Sequence, residues 1–234
     1  MPRKSLAVVV AMARELAPML RGMRSERVDG IDFFELPDIA VAVGGIGRKA
    51  ASRTAEALIR RYSPGVLISA GLVGALTPKL KVGDVVEVKE VVDVDSGAIF
   101  ETGHGEAVLV TASAVAGPAD KPIEAQRWKA DIVDMEGSAV AAVAQQHGIE
   151  FMAIKAVSDE LNFPIPPLSR FVNASGKFET LGFLAWVAIR PKWWSVVRQL
   201  NANSRLAAAN LCQALGHLIE QRSKAEREQG VQRA

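Results

Sequence analysis

The fold is decided by a strand, a glycine turn and a helix that follow one another at residues 39–62, with the sequence IAVAVGGIGRKAASRTAEALIRRY. Residues 39–43 are apolar at every position, as a strand buried on both faces of a sheet requires. Glycines at 44, 45 and 47 allow a tight turn, and a helix is predicted from Lys49 until Pro64-Gly65 breaks it. This order of elements is typical of a parallel sheet covered by helices.

The same alternation continues on both sides of this unit. Further strands are predicted at residues 6–10, 66–70, 85–94, 108–112 and 151–157, and further helices at 14–23, 138–147 and 204–222. We therefore expect an α/β fold, a three-layer α/β/α sandwich with a central mixed, mainly parallel sheet. No linker is apparent, so residues 1–234 are predicted to form a single domain, in which 160–200 is an atypical loop and aromatic segment.

Composition excludes several classes of protein. The chain has 234 residues, 49% of them apolar, and a net charge of +2, which suits a globular core and does not indicate nucleic-acid binding. The single cysteine, Cys212, excludes a disulfide framework within the chain, and we expect a cytoplasmic protein. The three histidines (His104, His147 and His217) have no partner at ligand spacing, so no metal site is predicted.

The glycine turn itself invites two interpretations. Residues 45–50, GIGRKA, match the dinucleotide-binding pattern after a strand and before a helix. That pattern also requires an acidic residue at the end of the next strand, where this chain has Ile68-Ser69-Ala70-Gly71. A nicotinamide-dependent oxidoreductase is therefore the less favoured alternative, and the backbone N–H groups of the turn are expected to approach a ligand, with phosphate as the candidate anion.

Three acidic residues lie just past, or beside, predicted strands. Glu15 follows the first strand, Glu136 precedes a helix, and Asp159 ends the strand at 151–157. Ligands of such sheets bind at the carboxyl ends of strands, so these residues are candidates for one site. Each also has an ordinary structural interpretation, as a solvated helix residue, a helix-start acid and a turn cap respectively.

Five stretches together carry a resemblance to a known family: AMARE at 11–15, GGIG at 44–47, SAGL at 69–72 with LKVGD at 80–84, DMEGSA at 134–139 and AVSD at 156–159. The chain resembles the nucleoside phosphorylase and nucleosidase family, and most of all the branch of methylthioadenosine/S-adenosylhomocysteine nucleosidases. The resemblance covers roughly residues 6–160 and implies an enzyme that cleaves the N-glycosidic bond of a purine nucleoside. It also implies a homodimer.

The resemblance implies a role for each matching residue. Glu15 would activate a water nucleophile, and Asp159 would protonate the departing purine at N7. Glu136 and Met135 would bind the ribose. The other matching residues would assist Asp159 or line the ribose and nucleophile pocket, namely Ser158, Ser69, Ala70 and Gly71. No cofactor is implied, apart from inorganic phosphate as co-substrate in a phosphorylase.

The chain departs from the family pattern in two ways that bear on the reaction. Its middle, between the strands near Val92 and Val108, is short, so contacts to the purine cannot be transferred. Arg14 stands where hydrolytic members are typically acidic, which favours phosphorolysis with a phosphate site formed by Gly45, Gly47, Arg14 and Arg48. The alternatives are hydrolysis of methylthioadenosine- or S-adenosylhomocysteine-like substrates and a non-catalytic nucleoside-binding protein.

The segment at 178–197 holds three of the four tryptophans together with Arg190 and Lys192. It resembles the hopanoid-associated phosphorylase subgroup, which implies a nucleoside with an apolar tail at its 5′ position. Such a segment has a composition suited to a peripheral contact with a membrane or to covering a lipid tail. A dimer interface or ordinary core is the competing interpretation.

Overall fold

The computed structural model describes residues 4–173 and 176–232, apart from the side chains of residues 223 and 225–232. Its strands are β1 (Leu6–Val10), β2 (Glu26–Val28), β3 (Ile31–Glu35), β4 (Ile39–Val43), β5 (Val66–Ala75), β6 (Val85–Asp93), β7 (Ile99–Glu101), β8 (Ala107–Thr111), β9 (Ile132–Asp134) and β10 (Glu150–Asp159). Its α-helices are α1 (Ala17–Leu20), α2 (Arg48–Tyr62), α3 (Lys121–Trp128), α4 (Gly137–Gln146), α5 (Thr180–Ala188) and α6 (Trp194–Gln232). Short 3₁₀ turns span Ala13–Leu16, Leu168–Phe171 and Pro191–Trp193.

The strands form one mixed sheet. Its centre is parallel, because β4, β1, β5 and β10 lie side by side and run in the same direction. The antiparallel strands β3 and β2 extend the sheet beyond β4. The predicted α/β class and the mixed central sheet are therefore confirmed.

Five of the strands also close into a ring, which the sequence did not predict. Beyond β10 the sheet continues through β6, β8 and β9, and β9 pairs back onto the end of β5 at Gly74 and Ala75. This closure is possible because β5 is long enough to pair with β1 along its first half and with β9 at its end. The ring brings the ends of β5, β9 and β10 together.

Helices cover both faces of the sheet, in agreement with the predicted three layers. On one face α2 and α4 pack against the sheet through residues such as Leu58 and Val140, which are fully buried. On the other face α6 packs through Leu211 and Leu215 against a second cluster, which includes Leu16 of the first 3₁₀ turn. Among the residues that the structure describes, no helix is both long and apolar enough to cross a membrane.

Two predicted elements have different lengths in the structure. The strand expected to end at Ala70 continues to Ala75, because β10 pairs with it through the glycine-containing stretch, with Asp159 opposite Gly74. The helix expected at residues 14–23 is only a 3₁₀ turn followed by the four residues of α1. It stops because Arg21 is extended and Gly22 adopts a φ of 79°.

Several elements were missed in stretches that resemble loops. The polar region after Gly117-Pro118 contains α3, and the expected loop at residues 95–106 contains β7. The hairpin of β2 and β3 was not predicted either. Within the atypical segment at 160–200, whose residues 174–175 lie outside the described residues, α5 forms and α6 begins already at Trp194, ten residues before its expected start.

Candidate active site

A cavity of about 640 Å³ brings together the three acidic residues that the sequence singled out. Glu15 reaches it from the 3₁₀ turn after β1, Glu136 from the junction of β9 and α4, and Asp159 from the last position of β10. Met135, Ser158 and Arg14 line the same cavity.

Glu15 is held in the interior by its local structure. Its neighbour Leu16 is fully buried against α6, which turns the Glu15 carboxyl inward, and only 4% of Glu15 is exposed. Glu15 Oε2 accepts a hydrogen bond of 3.2 Å from the backbone N–H of Met12. Burial raises the pKa of Glu15, partly offset by this hydrogen bond and by the charge of Arg14. A carboxyl with a raised pKa is suited to accept a proton near neutral pH.

A second, much smaller cavity lies beside Glu15 and Glu136. Its volume is about 10 Å³, and Ser69, Ala70 and Gly71 form part of its wall. Gly71 lies directly against the acid, because a Cβ at this position would be 3.5 Å from Glu15 Oε2. The three residues predicted to line the nucleophile pocket therefore line this small cavity.

Glu136 is oriented by the glycine turn before α2. Its Oε1 accepts a hydrogen bond of 2.7 Å from the backbone N–H of Gly47, and its Oε2 lies 3.3 Å from the N–H of Met135. Desolvation raises the pKa of Glu136 to about 8, and the nearby negative charge of Asp134 adds to the shift. The carboxyl is thus preorganised at the edge of the cavity where it can receive hydroxyl donors.

Asp134 and Lys155 form a buried ion pair beneath Glu136. Lys155 Nζ lies 2.8 Å from Asp134 Oδ2 and donates a hydrogen bond of 2.9 Å to Ser69 Oγ. Asp134 also accepts hydrogen bonds from the backbone N–H of Gly137 and from Thr111 Oγ1. This network fixes the start of α4, and with it the position of Glu136. This ion pair was not predicted, although a lysine inside the apolar stretch FMAIKAV indicates a buried partner.

Asp159 is held by two side-chain donors. Ser158 Oγ lies 2.8 Å from Asp159 Oδ1, in keeping with its predicted assisting role, and 3.3 Å from the carbonyl of Val73. Lys121 Nζ lies 2.5 Å from Asp159 Oδ2 and is completely buried. Lys121 was not predicted, because a lysine before a proline in a polar stretch has the pattern of a solvated residue.

The residues predicted to bind phosphate are not brought together. Arg14 lines the large cavity, Gly45 the small one, and Gly47 and Arg48 a third of about 530 Å³. The N–H of Gly47 is bonded to Glu136, and that of Gly45 to the carbonyl of Ala11. Arg48 forms ion pairs with Asp93 and Asp95 and donates to the carbonyl of Thr111. Protein acceptors thus already take the donors of Gly45, Gly47 and Arg48, and phosphate binding by these four residues stays a prediction.

The far end of the large cavity is mainly apolar, although Thr180, Arg198, Asn201 and Ser204 of α5 and α6 also line it. It is formed by the loop after β10, by α5 and by the start of α6, through Ile165, Leu168, Phe178, Phe183, Leu184, Val187, Trp194 and Val197. Two residues of this wall, Phe178 and Phe183, belong to an aromatic cluster with Phe171, Trp186 and Trp193, whose neighbouring ring centroids are 5.3–6.5 Å apart. The aromatic segment thus forms one wall of the cavity that holds the three acids.

The fold and the carboxyl-lined cavity define an α/β enzyme whose site lies at the ends of β5, β9 and β10. A family model described as the phosphorylase superfamily matches residues 5–125 and 104–177. The chain belongs to this superfamily, as the sequence predicted, and is an enzyme of the nucleoside phosphorylase and nucleosidase class. This membership and the Gly47–Glu136 contact leave no support for a dinucleotide-binding oxidoreductase.

Relatives with assigned names agree with this membership. The chain is 30% identical, over 77% of its own length and 97% of the relative's, to a 5′-methylthioadenosine/S-adenosylhomocysteine nucleosidase of Shewanella halifaxensis. It is 29% identical to the corresponding protein of Shewanella baltica, over 69% of its own length and 86% of the relative's.

Solved structures of similar fold carry the same kind of name. The nucleosidase of Neisseria meningitidis in complex with methylthio-immucillin-A has a TM-score of 0.67 at 20% identity, covering 93% of this chain and 99% of its own. The 5′-methylthioadenosine nucleosidase of Arabidopsis thaliana has a TM-score of 0.68 at 19% identity, covering 93% and 96%. At such identities these structures establish the fold alone.

Proposed function

We propose that the protein hydrolyses the N-glycosidic bond of an adenine nucleoside that carries a substituent at its 5′ carbon. The observation that carries this proposal is that Glu15, Glu136 and Asp159 line one cavity. Relatives named as nucleosidases support hydrolysis rather than the phosphorolysis favoured by the sequence analysis.

The three acids match the three tasks of the reaction. A glycosidic bond breaks through an oxocarbenium-like state, so the departing purine gains electrons and needs a proton. Asp159 transfers that proton to N7 of the base. Glu136 accepts hydrogen bonds from the 2′- and 3′-hydroxyls and thereby orients the sugar for cleavage. Glu15 takes a proton from the water that attacks C1′.

The small cavity beside Glu15 has room for a water nucleophile and none for a phosphate ion. Its volume of about 10 Å³ is roughly the room that one water molecule needs. A phosphate ion, with five heavy atoms, would need more space and several free donors. Arg14 is the predicted phosphate ligand that faces the large cavity, and it is the residue on which phosphorolysis would have to depend.

Adenine release from 5′-methylthioadenosine, measured with and without inorganic phosphate, tests this proposal. We expect the same rate in both conditions and a free sugar as the second product. Release that requires phosphate and yields a sugar 1-phosphate would mean phosphorolysis. If adenine is released neither from this nucleoside nor from longer 5′-alkylthio analogues, the proposed activity is wrong.

We further infer that the 5′ substituent is apolar and larger than a methylthio group. The cavity continues from the three acids into a wall formed by residues such as Phe183, Leu184 and Val197. Each CH₂ group buried there would contribute about 0.8 kcal/mol to binding. This inference agrees with the resemblance of residues 178–197 to the hopanoid-associated subgroup.

We also propose that the outer side of this segment contacts an anionic lipid bilayer. Leu181, Leu184, Ile189 and Trp194 are exposed at 84%, 52%, 75% and 56%, and we call these four residues the apolar face. Arg190 and Lys192 lie on the 3₁₀ turn and its cap between Ile189 and Trp194. A mixture of exposed apolar, tryptophan and basic side chains is suited to a membrane interface with negative headgroups. Leu184 and Trp194 also line the cavity, so a lipid-bearing substrate could enter from this side.

Sedimentation with vesicles containing an anionic lipid tests the contact. We expect the protein to sediment with these vesicles, less so at high salt, and the double variant Leu181→Gln/Ile189→Gln to lose this binding. The matched control is Ile99→Gln/Ile123→Gln, which removes two exposed isoleucines elsewhere. If the face variant instead dissociates a dimer and vesicle binding is absent throughout, the face is a subunit interface. The homodimer itself is a prediction for analytical ultracentrifugation.

A further inference from the structure

Lys121 is a fully buried lysine at the first position of α3. Its ammonium group has three acceptors: Asp159 Oδ2 at 2.5 Å, the carbonyl of Glu160 at 2.8 Å and the carbonyl of Asp159 at 3.4 Å. Removing an ammonium ion from water costs several kcal/mol, which such contacts must offset. All three acceptors belong to the end of β10 at the candidate active site.

The hydrogen bond from Lys121 Nζ to Asp159 Oδ2 holds a proton between nitrogen and oxygen. It lies at the place where the proposed reaction consumes a proton. Lys121 and Asp159 both line the large cavity, and Ser158 Oγ holds the other carboxyl oxygen. Asp159 therefore has a nitrogen donor on the side away from Ser158. Within the part of the chain that the structure describes, Asp159 is the one ionisable side chain that forms a hydrogen bond or ion pair with Lys121 Nζ.

We propose that Lys121 supplies the proton that Asp159 passes to the departing purine. This inference rests on the proposed function and identifies a residue that acts through Asp159 without touching the substrate. As the C1′–N9 bond breaks, its electron pair moves onto the purine and N7 takes a proton from Asp159. Asp159 takes a proton from the Lys121 ammonium, which becomes a neutral amine. Glu15 receives the proton of the attacking water, and exchange with solvent then restores Lys121 and Glu15.

Gly74 provides a second, independent sign that the pair is positioned by the fold. It lies opposite Asp159 in the pairing of β5 with β10. A Cβ at Gly74 would be 2.9 Å from Asp159 Oδ2, 3.0 Å from Lys121 Cε and 3.1 Å from Lys121 Nζ. A side chain at this position would therefore displace the ends of these two side chains by a few tenths of an ångström. Because residue 74 has no side chain, the ion pair lies directly against β5.

The test compares two substrates that differ in their need for a proton. An adenine nucleoside needs protonation of the base, whereas 4-nitrophenyl riboside releases nitrophenolate without one. For Lys121→Met we expect kcat on the adenine nucleoside to fall about 100-fold or more, within the range for loss of acid catalysis. KM for that nucleoside and kcat for the nitrophenyl riboside should stay within about threefold of the wild-type values, which is far smaller than the loss expected when acid catalysis is removed. Lys121→Arg keeps the positive charge, but a guanidinium does not give up its proton, so this variant should not recover the lost kcat, and recovery would mean that Lys121 acts through its charge alone. Lys89→Met, at an exposed lysine, should leave the turnover of both substrates unchanged.

Each outcome bears on the proposal. Equal losses on both substrates, or unchanged turnover of the nucleoside, would overturn it. If Lys121→Met does not fold, Gly74→Ala takes its place, with the same selective loss expected. Asp159→Asn tests the proposed function independently of Lys121. If Asp159→Asn loses nucleoside cleavage while Lys121→Met keeps it, Asp159 is the acid but does not depend on Lys121, and the inference is wrong while the proposed function stands.

Discussion

The backbone N–H of Gly47 donates a hydrogen bond of 2.7 Å to Oε1 of Glu136, a residue 89 positions later in the chain. Gly47 can do so because it adopts a φ of 91°, in the left-handed region that disfavours residues with a side chain. The turn thus fixes the carboxyl that is proposed to hold the ribose. Backbone strain introduced at Gly47 should therefore weaken binding of the sugar.

Gly47→Ala should therefore weaken ribose binding. A Cβ at Gly47 meets no atom within 4 Å, so the cost is backbone strain alone, about 1–3 kcal/mol. We expect a raised KM for the ribonucleoside and a smaller effect on its 2′-deoxy analogue, which lacks one hydroxyl that Glu136 would accept. Gly30→Ala is the control, since Gly30 has a φ of 80° and equally open space in the hairpin of β2 and β3. A similar KM effect in both variants would contradict the role given to Gly47.

The raised pKa of Glu136 predicts how stability changes with pH. The folded protein keeps a proton on Glu136 up to a pKa of about 8, whereas the unfolded chain loses it near the ordinary value of 4.5. Between these values the folded state binds more protons, so the free energy of unfolding should fall as pH rises and level off above pH 8. Glu15, whose pKa is also raised, contributes in the same direction.

Urea unfolding at pH 5 and pH 9 measures this effect. Glu136→Gln should flatten the pH dependence and be more stable than the wild type at pH 9 by at least about 1 kcal/mol. Glu106→Gln, at an exposed glutamate, should leave the dependence unchanged. If the wild type gains stability between pH 5 and pH 9, the environment described for Glu136 is wrong.

The apolar end of the cavity predicts a selective effect on substrates with long 5′ substituents. Leu184 lines the cavity, whereas Leu181 on the same helix is 84% exposed and does not. Leu184→Gln should raise KM for a 5′-octylthio nucleoside by about tenfold, which corresponds to 1.4 kcal/mol or roughly two buried CH₂ groups. KM for the 5′-methylthio nucleoside should change little, as should both values in Leu181→Gln. If the two variants change KM for the 5′-octylthio nucleoside equally, α5 does not contact the 5′ substituent.

Glu15, Glu136 and Asp159 became candidates for one site because each lies just past, or beside, an apolar strand, and the structure gathers them in one cavity. Their separate roles came from the family resemblance, because each acid alone also has an ordinary structural interpretation. The glycine turn was correctly expected to present backbone N–H groups, but the acceptor of Gly47 is the carboxyl of Glu136. Sequence spacing cannot reveal that partner, since the contact joins residues far apart along the chain.

The closure of β5, β10, β6, β8 and β9 into a ring could not be predicted from the sequence, again because it depends on contacts between distant parts of the chain. The strand pattern at 66–70 was clear, but its extension to Ala75 depends on pairing with β10 and β9, which lie far along the chain. Lys121 is hidden by the same non-local geometry, because only the folded chain shows that it faces Asp159.

The buried pair of Lys155 and Asp134 supports the last prediction. Removing Lys155 would leave the Asp134 carboxylate, which is almost completely buried, without its cation, a loss of about 3–5 kcal/mol in such pairs. We therefore expect Lys155→Met to lower the urea midpoint strongly and Lys155→Met/Asp134→Asn to recover part of the loss, because the neutral amide leaves no unpaired charge. Lys89→Met serves as the control at an exposed site. If Lys155→Met costs less than about 1 kcal/mol, the pair does not hold the start of α4, and the placement of Glu136 must depend on Gly47 instead.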